Sequence, residues 1–245
     1  MHKSLGGIAL LLCGAWVASA AVATDSTHGA VPRSVIEQVI DAYGGRSALE
    51  QVKAYRADGK VVTRQQGREG PMSRLFQRPG RLRVELRYPD LIETRIVDGS
   101  RGWRGLGTEF APSKGMMLDA MVLQAMRSDL PLFLLSHQDS VRAIAPLMRD
   151  SLQLEGLEVA LGAGRSLRAY IDPATHRILV SQSLLGEGEA AMKFETNYSD
   201  FRSVGSVLFA FHEVNFAAGT ATGTTTIDSL TLNPKFGPAG FDAPR

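Results

Sequence analysis

The alternation of apolar and polar positions divides the chain into an opening helical stretch, a run of strands, an apolar helical middle and a second run of strands. Val35, Ile36, Val39, Ile40 and Tyr43 are spaced i, i+1, i+4, i+5, i+8, which places them on one stripe of a helix over 33–43. Pro32 stands at its start and Gly44-Gly45 at its end, the positions where proline is tolerated and glycine stops a helix. A short second helical turn follows over 46–52. From Ala54 the period falls to two. In 81–88, Leu82, Val84, Leu86 and Tyr88 share one face, while Arg81, Arg83, Glu85 and Arg87 share the other. Further strands are expected near 54–66, 72–78, 91–98 and 101–106, with Pro79-Gly80 and Pro89-Asp90 as turns. Connections this short favour an antiparallel meander.

The middle breaks this pattern. Residues 116–127 contain no Gly or Pro and predict a helix, and Pro131 opens a second, more apolar helical piece reaching Leu135. The stretch 141–148 has no clear period. Strands resume near 151–161, 165–171, 176–185, 190–199, 206–218 and 221–232. Among them Met192, Phe194, Thr196 and Tyr198 alternate with Lys193, Glu195 and Asn197. The Pro/Gly-rich tail from Asn233 offers Phe236 and Phe241 as anchors. The fold class expected is β-rich α+β: a single large curved antiparallel sheet, an incomplete β-barrel, with a helical cover on one face, in one domain over 32–245.

Before that domain, His2 and Lys3, the apolar run Leu5 to Val17 and the small residues Ala18-Ser19-Ala20 read as a cleavable signal peptide over 1–20, followed by a flexible linker over 21–31. The apolar run is shorter than the roughly 20 residues of a membrane span. Cys13 is the one cysteine. Its removal with the signal leaves a chain with no disulfide and no cysteine chemistry, which suits export to a bacterial periplasm. The net charge is +2 before cleavage, so the chain has no global polyelectrolyte character and no nucleic-acid partner is expected. Locally, Arg64 to Arg104 holds ten Arg and no Lys against Glu69, Glu85, Asp90, Glu93 and Asp98. That excess is either a solvated sheet face or a surface for an anionic lipid or acidic partner.

No catalytic constellation is recognisable in the sequence, although a triad assembled only in space would leave no local motif. His28, His137, His176 and His212 show no metalloprotease spacing, no nucleophile elbow occurs, and Gly162-Ala163-Gly164 and Gly186-Glu187-Gly188 read as hairpin turns rather than dinucleotide loops. No catalytic residue, cofactor or metal is expected. The distinctive feature is the middle, where Met116, Met117, Met121 and Met126 fall close together. Such a stripe is either a helix packed in the core or a flexible cover for an apolar ligand of variable shape.

Several short motifs, weak singly, occur in a telling order. Tyr43-Gly44-Gly45 is followed by Ala48-Leu49-Glu50 and Val52-Lys53-Ala54. Val97-Asp98-Gly99 precedes Gly102-Trp103. Tyr170-Ile171-Asp172 precedes Thr175 and Ile178, then come Tyr198-Ser199-Asp200-Phe201-Arg202 and a close over Ile227 to Asn233 with Phe241 and Pro244. Over about 33–244 this resembles the periplasmic lipoprotein-carrier superfamily, LolA/LolB-like, of the outer-membrane lipoprotein-sorting type. Ser206 and Ala210 depart from the Gly and Pro frequent in relatives, and no one Arg matches the carrier's cover-binding Arg.

The resemblance implies an incomplete barrel whose apolar cavity holds an acyl chain of a lipoprotein or lipid. Trp103, Met117, Met121, Leu132 and Phe133 would then line or cover the cavity, and Leu82, Val84, Leu86, Phe194 and Phe209 would form its sheet wall. Such a carrier would work in the periplasm, contacting an envelope protein partner or the membrane periphery. The same fold also serves envelope sensing and protein-binding modules and at least one enzyme. Those two alternatives stay open on sequence alone.

Overall fold

Helix α1 (Arg33–Ala42) and the short α2 (Arg46–Gln51) precede six strands: β1 (Ala54–Thr63), β2 (Glu69–Gln77), β3 (Arg81–Arg87), β4 (Ile92–Asp98), β5 (Arg101–Leu106) and β6 (Glu109–Pro112). Helices α3 (Gly115–Arg127) and α4 (Leu130–Ser136) follow. Seven more strands complete the chain: β7 (Val141–Arg149), β8 (Leu152–Gly162), β9 (Arg165–Ile171), β10 (Ile178–Leu185), β11 (Met192–Val204), β12 (Val207–Ala217) and β13 (Thr220–Leu232). The computed structural model describes residues 33–64, 67–186, 188, 191–237 and 240–242. The expected signal peptide and linker lie outside the described residues.

All thirteen strands pair antiparallel in one sheet, in the order β6-β5-β4-β3-β2-β1-β13-β12-β11-β10-β9-β8-β7. The first and last strands, β1 and β13, meet in the middle. The two edges, β6 and β7, are neighbours in sequence and are joined by α3 and α4. A connection between opposite edges of a curved sheet has to cross its open side, so the topology itself makes the helical insertion a cover.

The register agrees with the period-two reading of 81–88: Leu82, Val84, Leu86 and Tyr88 are buried, and the face bearing Arg83 and Glu85 points away. Two buried clusters occupy the concave face. One joins α1, α2 and α4 to β8–β10 through Ile36, Val39, Leu134, Val159, Leu167 and Ile171. The other joins α3 to β1–β4 through Met121, Ala125, Phe76, Leu82, Val84 and Val97. Two glycines mark where helices come close to the sheet. A Cβ on Gly44, at φ +111°, would lie 1.9 Å from the Ser206 carbonyl oxygen, so no side chain fits where α1 ends against the β11–β12 turn. A Cβ on Gly102 would lie 2.8 Å from Leu118 Cδ1, so α3 rests directly on β5.

Two strands differ from expectation. The short β6 falls in a stretch not read as a strand, and β7 occupies the stretch without a clear period. Pro146 sits at a register irregularity between Ile144 and Leu147 in β7, an edge strand, where the missing N–H interrupts little pairing.

Candidate functional site

Between the two core clusters, below the junction of α3 and α4, lies a cavity of about 110 Å³. Its apolar wall includes Phe76, Leu130, Phe209 and Leu230, with the Tyr55 ring tilted against Phe76 (centroids 5.2 Å apart) and edge-on to Phe209 (5.7 Å). The cavity is smaller than the ~150 Å³ void known to accept benzene and far below the ~300–1,000 Å³ of ordinary ligand pockets. An acyl chain enters this space only if the helices above it move.

Five charged side chains also line the cavity: Arg74, Arg78, Arg127, Asp129 and Glu213. On β2, Arg74 shares the inward face with Met72 and Phe76. On β12, Glu213 shares it with Phe211. The Arg74 guanidinium donates Nη1 to Glu213 Oε1 and Nη2 to Oε2, both at 2.7 Å, a bidentate bond across the sheet floor. Burial alone pushes the Glu213 carboxyl up, but the charge and hydrogen bonds of Arg74, with a smaller contribution from Arg127, hold it below its ordinary value. Arg74 is held firmly protonated in return.

The second pair joins floor to roof. Arg78, just after β2, donates Nε to Asp129 Oδ2 and Nη2 to Oδ1, both at 2.6 Å. Its Nη1 donates to the carbonyls of Leu49 (2.6 Å) and Val52. One guanidinium therefore ties β2 to the end of α2 and to the α3–α4 junction. Here burial outweighs the bonds from Arg78, and the Asp129 carboxyl sits above its ordinary value. The Tyr55 hydroxyl donates to the carbonyl of Ser128 (3.3 Å) at the same junction. On the opposite wall the Tyr198 hydroxyl is hydrogen-bonded to Ser181 Oγ (2.8 Å), and burial pushes its pKa up. Farther along α3, Asp119 accepts from Arg165 Nη1 at 3.0 Å, tying that helix to β9.

Of the residues named from the sequence, Phe209 lines the cavity. Leu82, Val84 and Leu86 are packed beneath α3 with Met121, which is 3% exposed. Leu132 and Phe133 pack half-buried on the α1–α4 cluster, and the Phe133 ring stacks on His137 at 4.2 Å. Phe194 is half-buried on β11. Met117 is 47% exposed on the outer side of α3. Trp103 pairs with Ile96 on the sheet face opposite Gly102, away from the helices, with Arg101 over its ring at 5.6 Å.

The Arg-rich stretch carries many ion pairs, among them Arg68–Asp90, Arg81–Asp98, Arg83–Glu85, Arg95–Glu93 and Arg101–Asp98. Arg74 and Arg78 turn inward. Their roles, and those of Arg127, Asp129, Tyr198 and Glu213, were missed from the sequence. A signal for the first pair was present. Arg74 stands two residues from both Met72 and Phe76, and Glu213 two residues from Phe211, so opposite charges fall on buried faces of two strands. Among the described residues no group of three His, Cys, Asp or Glu is placed to hold a metal.

No family model matches the chain, and no curated protein matches it. Solved structures do. A candidate outer membrane lipoprotein-sorting protein domain from Vibrio parahaemolyticus superposes with a TM-score of 0.53 at 10% identity, covering 85% of this chain and 95% of that one. A DUF1329 family protein from Desulfovibrio piger gives 0.54 at 9%, covering 86% and 96%. A LolA superfamily protein from Nitrosomonas europaea gives 0.51 at 8%, covering 85% and 96%. At these identities the likeness is one of architecture: the chain has the LolA/LolB-like fold, an open antiparallel sheet with helices over its concave face.

Proposed function

We propose that the protein is a periplasmic carrier that binds the acyl chain of a lipid or lipoprotein between the curved sheet and the α3–α4 cover. The observation that carries this reading is the cavity itself, apolar over most of its wall and placed under the one segment that bridges the two sheet edges. The cover is joined to the sheet by polar bonds at Asp119, Ser128 and Asp129 and by side-chain packing rather than by strand pairing, so it can lift without breaking the sheet's ladder. The lipoprotein-sorting description of one structural neighbour is consistent in kind. Four of the five charged groups of the cavity are engaged in two fixed ion pairs, and none is arranged with another as a nucleophile and base, so no reaction is assigned to them.

The test is native mass spectrometry of protein recovered from the periplasm of an exporting bacterium, followed by delipidation and rebinding. The carrier reading predicts a co-purifying acyl-containing species, and a delipidated protein that takes up palmitate with one-to-one stoichiometry. A protein that emerges empty and binds no palmitate contradicts it.

A further inference from the structure

The charges lining the cavity do not cancel. Arg74 is matched by Glu213 and Arg78 by Asp129, both through bidentate bonds, which leaves Arg127. Arg127 closes the last turn of α3 and is half-buried. It makes no ion pair among the described residues, and the counter-charge it feels is that of Glu213, each of whose oxygens already accepts a hydrogen bond from Arg74. Arg74 adds a second unmet donor, because its buried Nε–H has no acceptor. Some of Arg127's charge is offset by the partial negative charge at the end of α3. That offset does not supply the planar acceptor a guanidinium matches best.

We propose that the occupant of the cavity is an amphiphile with one anionic head, carboxylate or phosphate, held by Arg127 while its tail lies on the aromatic and aliphatic wall. This rests on the carrier reading and narrows it. A neutral diglyceride-like head would leave Arg127 unmatched on closure of the cover, and a cationic head would meet it with repulsion. Either head type is therefore disfavoured relative to an acid of the same chain length.

Three probes of equal chain length separate the cases: palmitate, hexadecyl phosphate and hexadecanol, titrated into delipidated full-length protein by competition with a bound fluorescent fatty-acid analogue. Wild-type protein is expected to bind one or both acids about tenfold or more tighter than the alcohol, and the tighter acid identifies the head. In Arg127→Gln the acid and alcohol affinities converge to within about twofold of each other, and Arg127→Lys keeps most of the preference. Equal binding of all three by the wild type overturns the anionic-head assignment and leaves the carrier reading standing. An acid preference that survives in Arg127→Gln also overturns it. If none of the three binds, both readings fall together.

Discussion

The floor and the roof of the cavity are each crossed by an Arg–carboxylate pair, and the two pairs are built for different ends. Arg74–Glu213 joins β2 to β12 within the sheet, is nearly sealed from solvent, and keeps its carboxylate ionised. Arg78–Asp129 joins the sheet to the cover, is somewhat more exposed, and holds a carboxylate whose burial works against its charge. The first pair costs much to break; the second is opposed by its own desolvation. A carrier needs this asymmetry, with a floor that stays fixed while the roof moves.

The largest effect is expected at the floor. Glu213→Gln leaves the Arg74 charge buried without its partner and should lower unfolding free energy by about 3–5 kcal/mol in urea denaturation. Replacing both partners together, Arg74→Met with Glu213→Leu, should recover most of that loss, because the desolvated charges are then absent. A loss below about 1 kcal/mol for Glu213→Gln would mean that the floor pair is not as sealed as its geometry indicates.

The roof is gripped by apolar contact. Met121→Ala opens a void against Phe76 and Leu82 and should cost about 2–5 kcal/mol. Met117, on the outer side of the same helix, should cost no more than about 0.5 kcal/mol on the same change. Equal costs at the two sites would remove the distinction between the inner and outer faces of α3. At the roof pair, Asp129→Asn removes a charge that folding disfavours, so global stability should change by about 1 kcal/mol or less in either direction. That contrast with Glu213→Gln tests the asymmetry within one experiment.

The two carboxylates also respond to acid with opposite sign. The folded-state pKa of Asp129 is raised, so its ionised form costs stability at neutral pH, and that cost is relieved as pH falls through the folded value. The folded-state pKa of Glu213 is lowered, so its contribution is complete above an unfolded value of about 4.3 and is lost as pH falls through the folded one. Hydrogen exchange corrected for intrinsic rate should therefore show protection over residues 127–133 rising as pH is lowered from 7 towards about 4.3. Strands β2 and β12 should weaken only below that point. Loosening of the roof before the floor on acidification would reverse the assignment.

How much of this could be read in advance divides along physical lines. The curved sheet and its helices were legible because half-buried strands such as 81–88 and amphipathic helices such as α1 write their burial into local period. Strand β7 was not, since an edge strand carrying Pro146 at an irregularity has neither a continuous apolar face nor a regular ladder. The cavity was legible only in kind. Leu82, Val84 and Leu86 do face the interior, yet α3 covers them, and nothing local tells a wall under a packed helix from one under a void. Trp103 sits on the other face because its neighbour Gly102, not Trp103 itself, receives α3. The inward charges were the clearest omission. Ten Arg in one segment invite a surface reading, and only the alternation around Arg74, set beside that around Glu213, marks a pair that belongs inside.

The central claim is that an acyl chain occupies the space between sheet and cover, and photo-crosslinking tests it most directly. Palmitate carrying a diazirine near its terminal carbon would be irradiated with the full-length protein and the modified residues mapped by peptide sequencing. Labels concentrated on the cavity wall, at Phe76, Leu130, Phe209 and Leu230, and reduced by excess unlabelled palmitate, are the predicted result. Labels confined to exposed apolar residues outside the cavity, such as Met148 and Leu152, or no competable labelling at all, would contradict it.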